Sequence, residues 1–258
     1  MNRQHIRFDC EGSQLAGTLD HASGTSGLLI ITGGNEIRSG AYSGQAQLAA
    51  TVARAGFPVF RFDRRGVGDS EGENRGFRES AADILAAAAA FRANAPQMQR
   101  LVAFGNCDAA SALMLSKGNM IDFLLLSNPW TIEDDDGAMA PDAVRSRYAE
   151  KLKNPKELLR LVTGQVNLGK LLRGIKQALG PKPEPTSLVQ DMAAGLEQAA
   201  KPFVILLAEA DRTAQIFDAQ WPGNANGEIR RCEGASHSYV EPHARQWLEQ
   251  QVLEALRG

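Results

Sequence analysis

Five short apolar runs constrain this chain more than any other feature: Leu28–Ile31, Pro58–Phe62, Leu101–Phe104, Phe123–Leu126 and Phe203–Leu207, each bounded by Gly, Pro, Asp or Asn. Runs of this length and character suit strands buried on both faces, the condition of a parallel sheet covered by helices. Helix-forming stretches lie between them, over 45–55, 79–94, 109–117 and 213–221. Strand alternating with helix implies right-handed βαβ units and an α/β fold with a mostly parallel, doubly wound sheet. Two alternating segments, His5–Cys10 and Leu15–Asp20, flank Glu11-Gly12-Ser13 and predict an opening hairpin. Glu228–Cys232 supplies a last strand. A closing helix over 242–257 sets Trp247, Leu248, Val252 and Leu256 on one face.

The alternation breaks between about Thr131 and Ala200. This stretch holds no convincing strand, opens with the acidic run Glu133–Asp136 and passes through Pro181-Lys182-Pro183-Glu184-Pro185. It reads as a helical cap over 131–200, inserted into a core made of 1–130 and 201–258. From Arg145 to Lys182 its Lys and Arg residues stand against only Glu150 and Glu157, apart from the proline-rich end. A basic surface there would attract an anionic substrate or an acidic carrier protein.

Composition removes several function classes. A chain of 258 residues with a formal net charge of -2 carries no global basic field, so no nucleic-acid partner is expected. No stretch approaches the roughly 20 apolar residues of a membrane span, and Met1–Arg7 lacks the apolar centre of a secretory signal, which predicts a cytoplasmic protein. Cys10, Cys107 and Cys232 form an odd set without a C-x-x-C pair, against a disulfide framework or a zinc site. No ligand spacing implies a metal or a redox cofactor.

The chemistry centres on Gly105-Asn106-Cys107-Asp108-Ala109, directly behind the Leu101–Phe104 run and ahead of a helix. A strand-to-helix turn that presents a nucleophile holds that residue in a strained conformation and needs small residues two before and two after it, as Gly105 and Ala109 are. A thiol at a helix N-terminus gains thiolate character from the free N–H groups and the dipole. Taken alone, the pentapeptide also fits a buried structural cysteine. A thiol attacking a carbonyl further needs a base, an orienter for the base and donors for the oxyanion.

His237, in the loop Gly234-Ala235-Ser236-His237 after the last strand, is the candidate base. His5 falls in the hairpin, His21 in the loop after it and His243 in the closing helix. Asp211, just beyond the fifth run, is the candidate orienter, with an N-cap as its plain alternative and Glu209 as its competitor. The backbone N–H of Asp108 is one oxyanion donor. The second comes from Thr32-Gly33-Gly34-Asn35, where Gly34 and Asn35 remain alternatives. Asp63–Gly72 contains Gly66, Gly68 and Gly72 in a G-x-G-x-x-x-G spacing, which misses the dinucleotide-binding fingerprint and reads as a turn.

Together these residues resemble the α/β-hydrolase superfamily, in which nucleophile, acid and histidine follow one another in this chain order. Asp63-Arg64-Arg65-Gly66-Val67-Gly68-Asp69-Ser70 is similar to that superfamily's D-x-R-G-x-G-x-S segment. Gly33–Gly40, Ala55–Val59 and Gly105–Ser111 resemble the first hydrolase family associated with the exosortase A system, which implies a bacterial cytoplasmic protein linked to exopolysaccharide and protein-sorting loci. Cysteine in the place of the usual serine is similar to dienelactone hydrolases and polyester synthases. The resemblance implies hydrolysis of an ester or thioester through an acyl-Cys107 intermediate. Acyl transfer to another acceptor, and a binding or scaffolding protein that keeps the fold, are the two alternatives.

Overall fold

In a computed structural model of the protein, which describes residues 2–132, 186–224 and 227–258, the apolar runs form the middle of an eight-stranded sheet. The strands are β1 (Arg3–Cys10), β2 (Ser13–Asp20), β3 (Ser26–Ile31), β4 (Val59–Phe62), β5 (Arg100–Asn106), β6 (Phe123–Ser127), β7 (Phe203–Ala208) and β8 (Gly227–Cys232). The helices are α1 (Gly44–Arg54), α2 (Ala81–Asn94), α3 (Asp108–Leu115), α4 (Ser187–Ala199), α5 (Arg212–Gln220) and α6 (Pro242–Arg257). The order across the sheet is β1-β2-β4-β3-β5-β6-β7-β8. The expected hairpin is β1 and β2, antiparallel with Arg3 opposite Asp20 and Cys10 opposite Ser13. β2 pairs antiparallel with β4, and every pairing from β4 through β3 to β8 is parallel.

Alternate residues of the central strands feed two cores, because successive strand side chains point to opposite faces. On one face Leu29, Ile31, Ala103, Leu124, Leu126, Ile205 and Leu207 pack in a single cluster with Ile84 and Phe91 of α2, Leu113 of α3 and Phe217 of α5. On the other, Leu28, Ile30, Val102, Phe104, Leu125 and Leu206 meet Leu48 and Val52 of α1 and Val252 and Leu256 of α6. Edge strand β8 carries Glu228, Arg230 and Arg231, and charges of this kind discourage pairing with a further strand.

Residues 186–200 of the segment assigned above to the cap belong to the core by packing. Thr186 caps α4 by accepting from the Val189 N–H at 3.3 Å, and Leu188, Val189, Met192 and Leu196 are buried in the first cluster beside α3. α4 is therefore, among the described residues, a helix of the crossover from β6 to β7. An amphipathic helix in that place looks alike in sequence whether it covers the sheet or stands above it. Residues 133–185, with the acidic run and the basic stretch, lie outside the described residues.

Candidate active site

All the candidate site residues sit past the C-terminal ends of parallel strands, where loops in open α/β sheets bind ligands. Gly33, Gly34 and Asn35 follow β3, Cys107 follows β5, Asp211 follows β7 and His237 follows β8. Cys107 has φ 63° and ψ -131°, outside the regions that residues with a side chain favour, and it is the N-cap of α3. Such a conformation costs on the order of 1–3 kcal/mol and persists only when its surroundings hold it. Here the Cys107 N–H donates to the Ser127 carbonyl at 3.0 Å, and the Cys107 carbonyl accepts from Ala110 at 3.0 Å and Trp130 at 3.3 Å. Gly105 permits the turn, since a Cβ there would stand 2.7 Å from the backbone of Ala109. The Asp108 N–H, at the first position of α3, is one of the groups that a helix leaves without an internal acceptor.

His237 is joined to Asp211. Its Nδ1 lies 2.8 Å from Asp211 Oδ2, and because a carboxylate only accepts, Nδ1 carries the proton and Nε2 faces away from the acid. The same Oδ2 accepts from the Ala214 N–H at 3.1 Å, so Asp211 caps α5 and holds the imidazole at once. Its side chain is 9 % exposed against 37 % for His237, an acid in the wall and an imidazole at the rim. The His237 imidazole is pushed up from 6.5 to about 10, first by the hydrogen bond to Asp211 and then by one to the Cys107 thiol, against burial, which disfavours its charge. His237 and Asp211 are thus joined directly, and the thiol of Cys107 adds to the rise of the imidazole.

The competing residues point elsewhere. Glu209 is exposed, and its carbonyl accepts from Gln215. His5 meets Thr18, His21 meets Gln4, and His243 meets the Glu233 carbonyl. The two oxyanion alternatives also part company. The Gly34 N–H donates to Asp108 Oδ1 at 2.6 Å, whereas among the described residues the Asn35 N–H has no acceptor. The Asp63–Gly72 segment is a series of turns, with Val67 donating to Arg64 and Ser70 to Val67.

Sequence reasoning missed the residues that hold the histidine loop. The His237 carbonyl accepts from Asn106 Nδ2 at 3.2 Å and from Asn128 Nδ2 at 3.3 Å, and Asn128 Nδ2 also donates to Asn106 Oδ1 at 3.0 Å. Asn128 Oδ1 accepts from the Ala208 N–H at 2.8 Å, which ties the ends of β5, β6 and β7 to the loop after β8. Asn128 is fully buried with φ 43°, a conformation that asparagine tolerates better than most residues. Tyr239 adds a buried hydroxyl 2.9 Å from Ser127 Oγ. An asparagine two residues past an apolar run, Asn106 after Phe104 and Asn128 after Leu126, was the sequence signal available. Among the described residues, no three His, Cys, Asp or Glu side chains are grouped so that they could hold a metal ion.

Known structures match the fold of this chain along nearly its whole length. An α/β hydrolase from Penicillium sp. sh18 superposes with a TM-score of 0.67 at 15% identity, covering 100% of both chains. The fold is the α/β-hydrolase fold. A Pyrococcus furiosus esterase shares it at a TM-score of 0.63 and 15% identity, covering 99% of this chain and 90% of its own. A dienelactone hydrolase of Anabaena variabilis does so at 0.63 and 12%, covering 99% and 97%. No protein-family model matches the chain, and no curated relative does. In this α/β-hydrolase fold, the loops after β3, β5, β7 and β8 meet at one rim of the sheet. No described helix is long and apolar enough to cross a membrane.

Proposed function

We propose that the protein hydrolyses an ester or thioester through a covalent acyl-Cys107 intermediate. The observation that carries this reading is the hydrogen bond from His237 to Asp211 at the rim that also carries Cys107, whose thiol helps raise the imidazole and which is itself held at a strained strand-to-helix turn. The esterase and dienelactone hydrolase that share the fold supply the substrate class. On the similarity of Gly33–Gly40, Ala55–Val59 and Gly105–Ser111 we also propose that the chain is akin to the first hydrolase family associated with the exosortase A system.

Cys107 Sγ attacks the acyl carbonyl as its proton passes to His237 Nε2, forming the carbon–sulfur bond while the carbonyl oxygen takes the electron pair. The N–H groups of Asp108 and Asn35 receive that oxygen, and Asn35 is preferred because the Gly34 N–H is already engaged. The tetrahedral adduct then expels the alcohol or thiol, which leaves with the proton from His237 Nε2. Acylation removes the free thiol from beside His237. His237 Nε2, having given its proton to the leaving group, is free to take one from the attacking water. Water attack and loss of the thiolate release a carboxylic acid and restore the enzyme.

The test is intact mass spectrometry after brief incubation with p-nitrophenyl esters and acyl-coenzyme A thioesters, followed by peptide mapping. The expected result is one added acyl group on Cys107 and none on Cys10 or Cys232. Turnover without an adduct in wild type and in Asp211→Asn, or no turnover of any substrate, would rule the intermediate out.

A further inference from the structure

The side chain of Asp108 joins the turn that carries the nucleophile to the loop that carries the second oxyanion donor. Asp108 Oδ1 accepts the Gly34 N–H at 2.6 Å, and Arg64 Nη2 donates to the Gly34 carbonyl at 2.6 Å. The same guanidinium nitrogen stands 3.5 Å from Asp108 Oδ2, while Nη1 donates to Ser80 Oγ at 2.9 Å. Gly34 is therefore held at both its N–H and its carbonyl by a carboxylate and a guanidinium that pair with each other. The fit is close, since a Cβ on Gly33 would lie 2.6 Å from Asp108 Oδ1. Arg64 is 2 % exposed, and a guanidinium this deep requires a counter-charge and full hydrogen bonding. Asp108 supplies the charge.

We infer that Asp108, through its side chain, and Arg64 clamp the Gly34-Asn35 loop against the nucleophile turn, and so act as positioning residues for acyl transfer at Cys107. This rests on the proposed acyl-enzyme reading. An oxyanion donor is effective only when fixed about 2.7–3.1 Å from the place the developing charge will occupy, and losing one costs about 10²–10³ in rate. The loop hangs on few other bonds: Glu36 closes a turn onto the Gly33 carbonyl, and Asn74 Nδ2 donates to Asn35 Oδ1 at 2.8 Å. Without the clamp, the Asn35 N–H would keep its chemistry and lose its position.

The experiment compares wild type with Asp108→Ala, Asp108→Asn and Arg64→Lys, measuring ester turnover and, separately, alkylation of Cys107 by iodoacetamide. Alkylation involves no oxyanion. Asp108→Ala is expected to lower kcat by about 10–100-fold with KM changed less than about threefold, a part of the cost of losing a donor. Asp108→Asn keeps an acceptor for the Gly34 N–H and should regain kcat to within about fivefold of wild type, and Arg64→Lys should fall between the two. Cys107 alkylation should run in every variant at least as fast as in wild type. Undiminished kcat in Asp108→Ala, an Asn variant as poor as Ala, or alkylation that falls together with turnover would each overturn the clamp. A wild-type protein that is never acylated at Cys107 would instead defeat the acyl-enzyme reading, and the clamp with it.

Discussion

Cys10 ends the first edge strand and Cys107 opens helix α3, and the two thiols meet a carboxylate in opposite ways. Cys10 is buried with Sγ 3.4 Å from Asp83 Oδ1. Desolvation first, and then the Asp83 charge, push its thiol up to about 11, only partly countered by Arg65. Near Cys107 the carboxylate of Asp211 is instead engaged by an imidazole. Asp211 there holds His237 Nδ1, and the neighbouring Asp108 carboxylate is turned to Gly34 and Arg64. In the proposed reading, sulfur beside a carboxylate is inert, and sulfur served by an imidazole that a carboxylate holds is poised to react. Position in the fold, more than residue type, separates the two.

That contrast breaks most sharply at the nucleophile. Cys107→Ala should abolish ester turnover, by about 10³-fold or more, while Cys10→Ala keeps it, as measured by kcat/KM on one activated ester. Comparable losses in both would mean that the two sites do not differ in kind. Next comes the acid: Asp211→Asn removes the first cause of the raised imidazole, and kcat should drop by about 10²-fold as the histidine falls back toward its ordinary range. A pH–rate profile unchanged from wild type would show that His237 does not depend on Asp211.

The smallest effect is on stability. The folded pKa of His237 lies above the unfolded value of 6.5, so the stabilisation from its contacts is complete below pH 6.5 and is lost as pH rises through about 10. Glu36 also lies within electrostatic reach of this imidazole. His237→Gln should therefore lower Tm most below pH 6.5, by no more than about 2–4 °C because the imidazole sits at the solvent-open rim, with the difference shrinking toward pH 10. A gap that widens with pH would reverse the sign of the linkage.

Much of the fold could be read from the residues because the central strands are buried on both faces. Leu28–Ile31 or Phe203–Leu207 can satisfy its side chains only between two helical layers, and the loops that follow such strands then converge at one rim. The chain order Cys107, Asp211, His237 nominated the candidate site in the same way. The crossover helix Ser187–Ala199 was not separable from the expected cap, because an amphipathic pattern names a buried face without naming what buries it.

Local sequence thus determined the strands, the helices between them and the turn at Cys107, since each follows from periodicity and side-chain size within a few residues. Only the tertiary structure decided that Asn106 and Asn128 grip the His237 carbonyl, that Arg64 reaches Gly34 and Asp108, and that the Gly34 N–H is occupied while that of Asn35 has no acceptor among the described residues. Those outcomes depend on hydrogen bonds between loops far apart in the chain. A polar residue's composition and spacing do not say which distant backbone group it will find once the sheet has drawn the loops together.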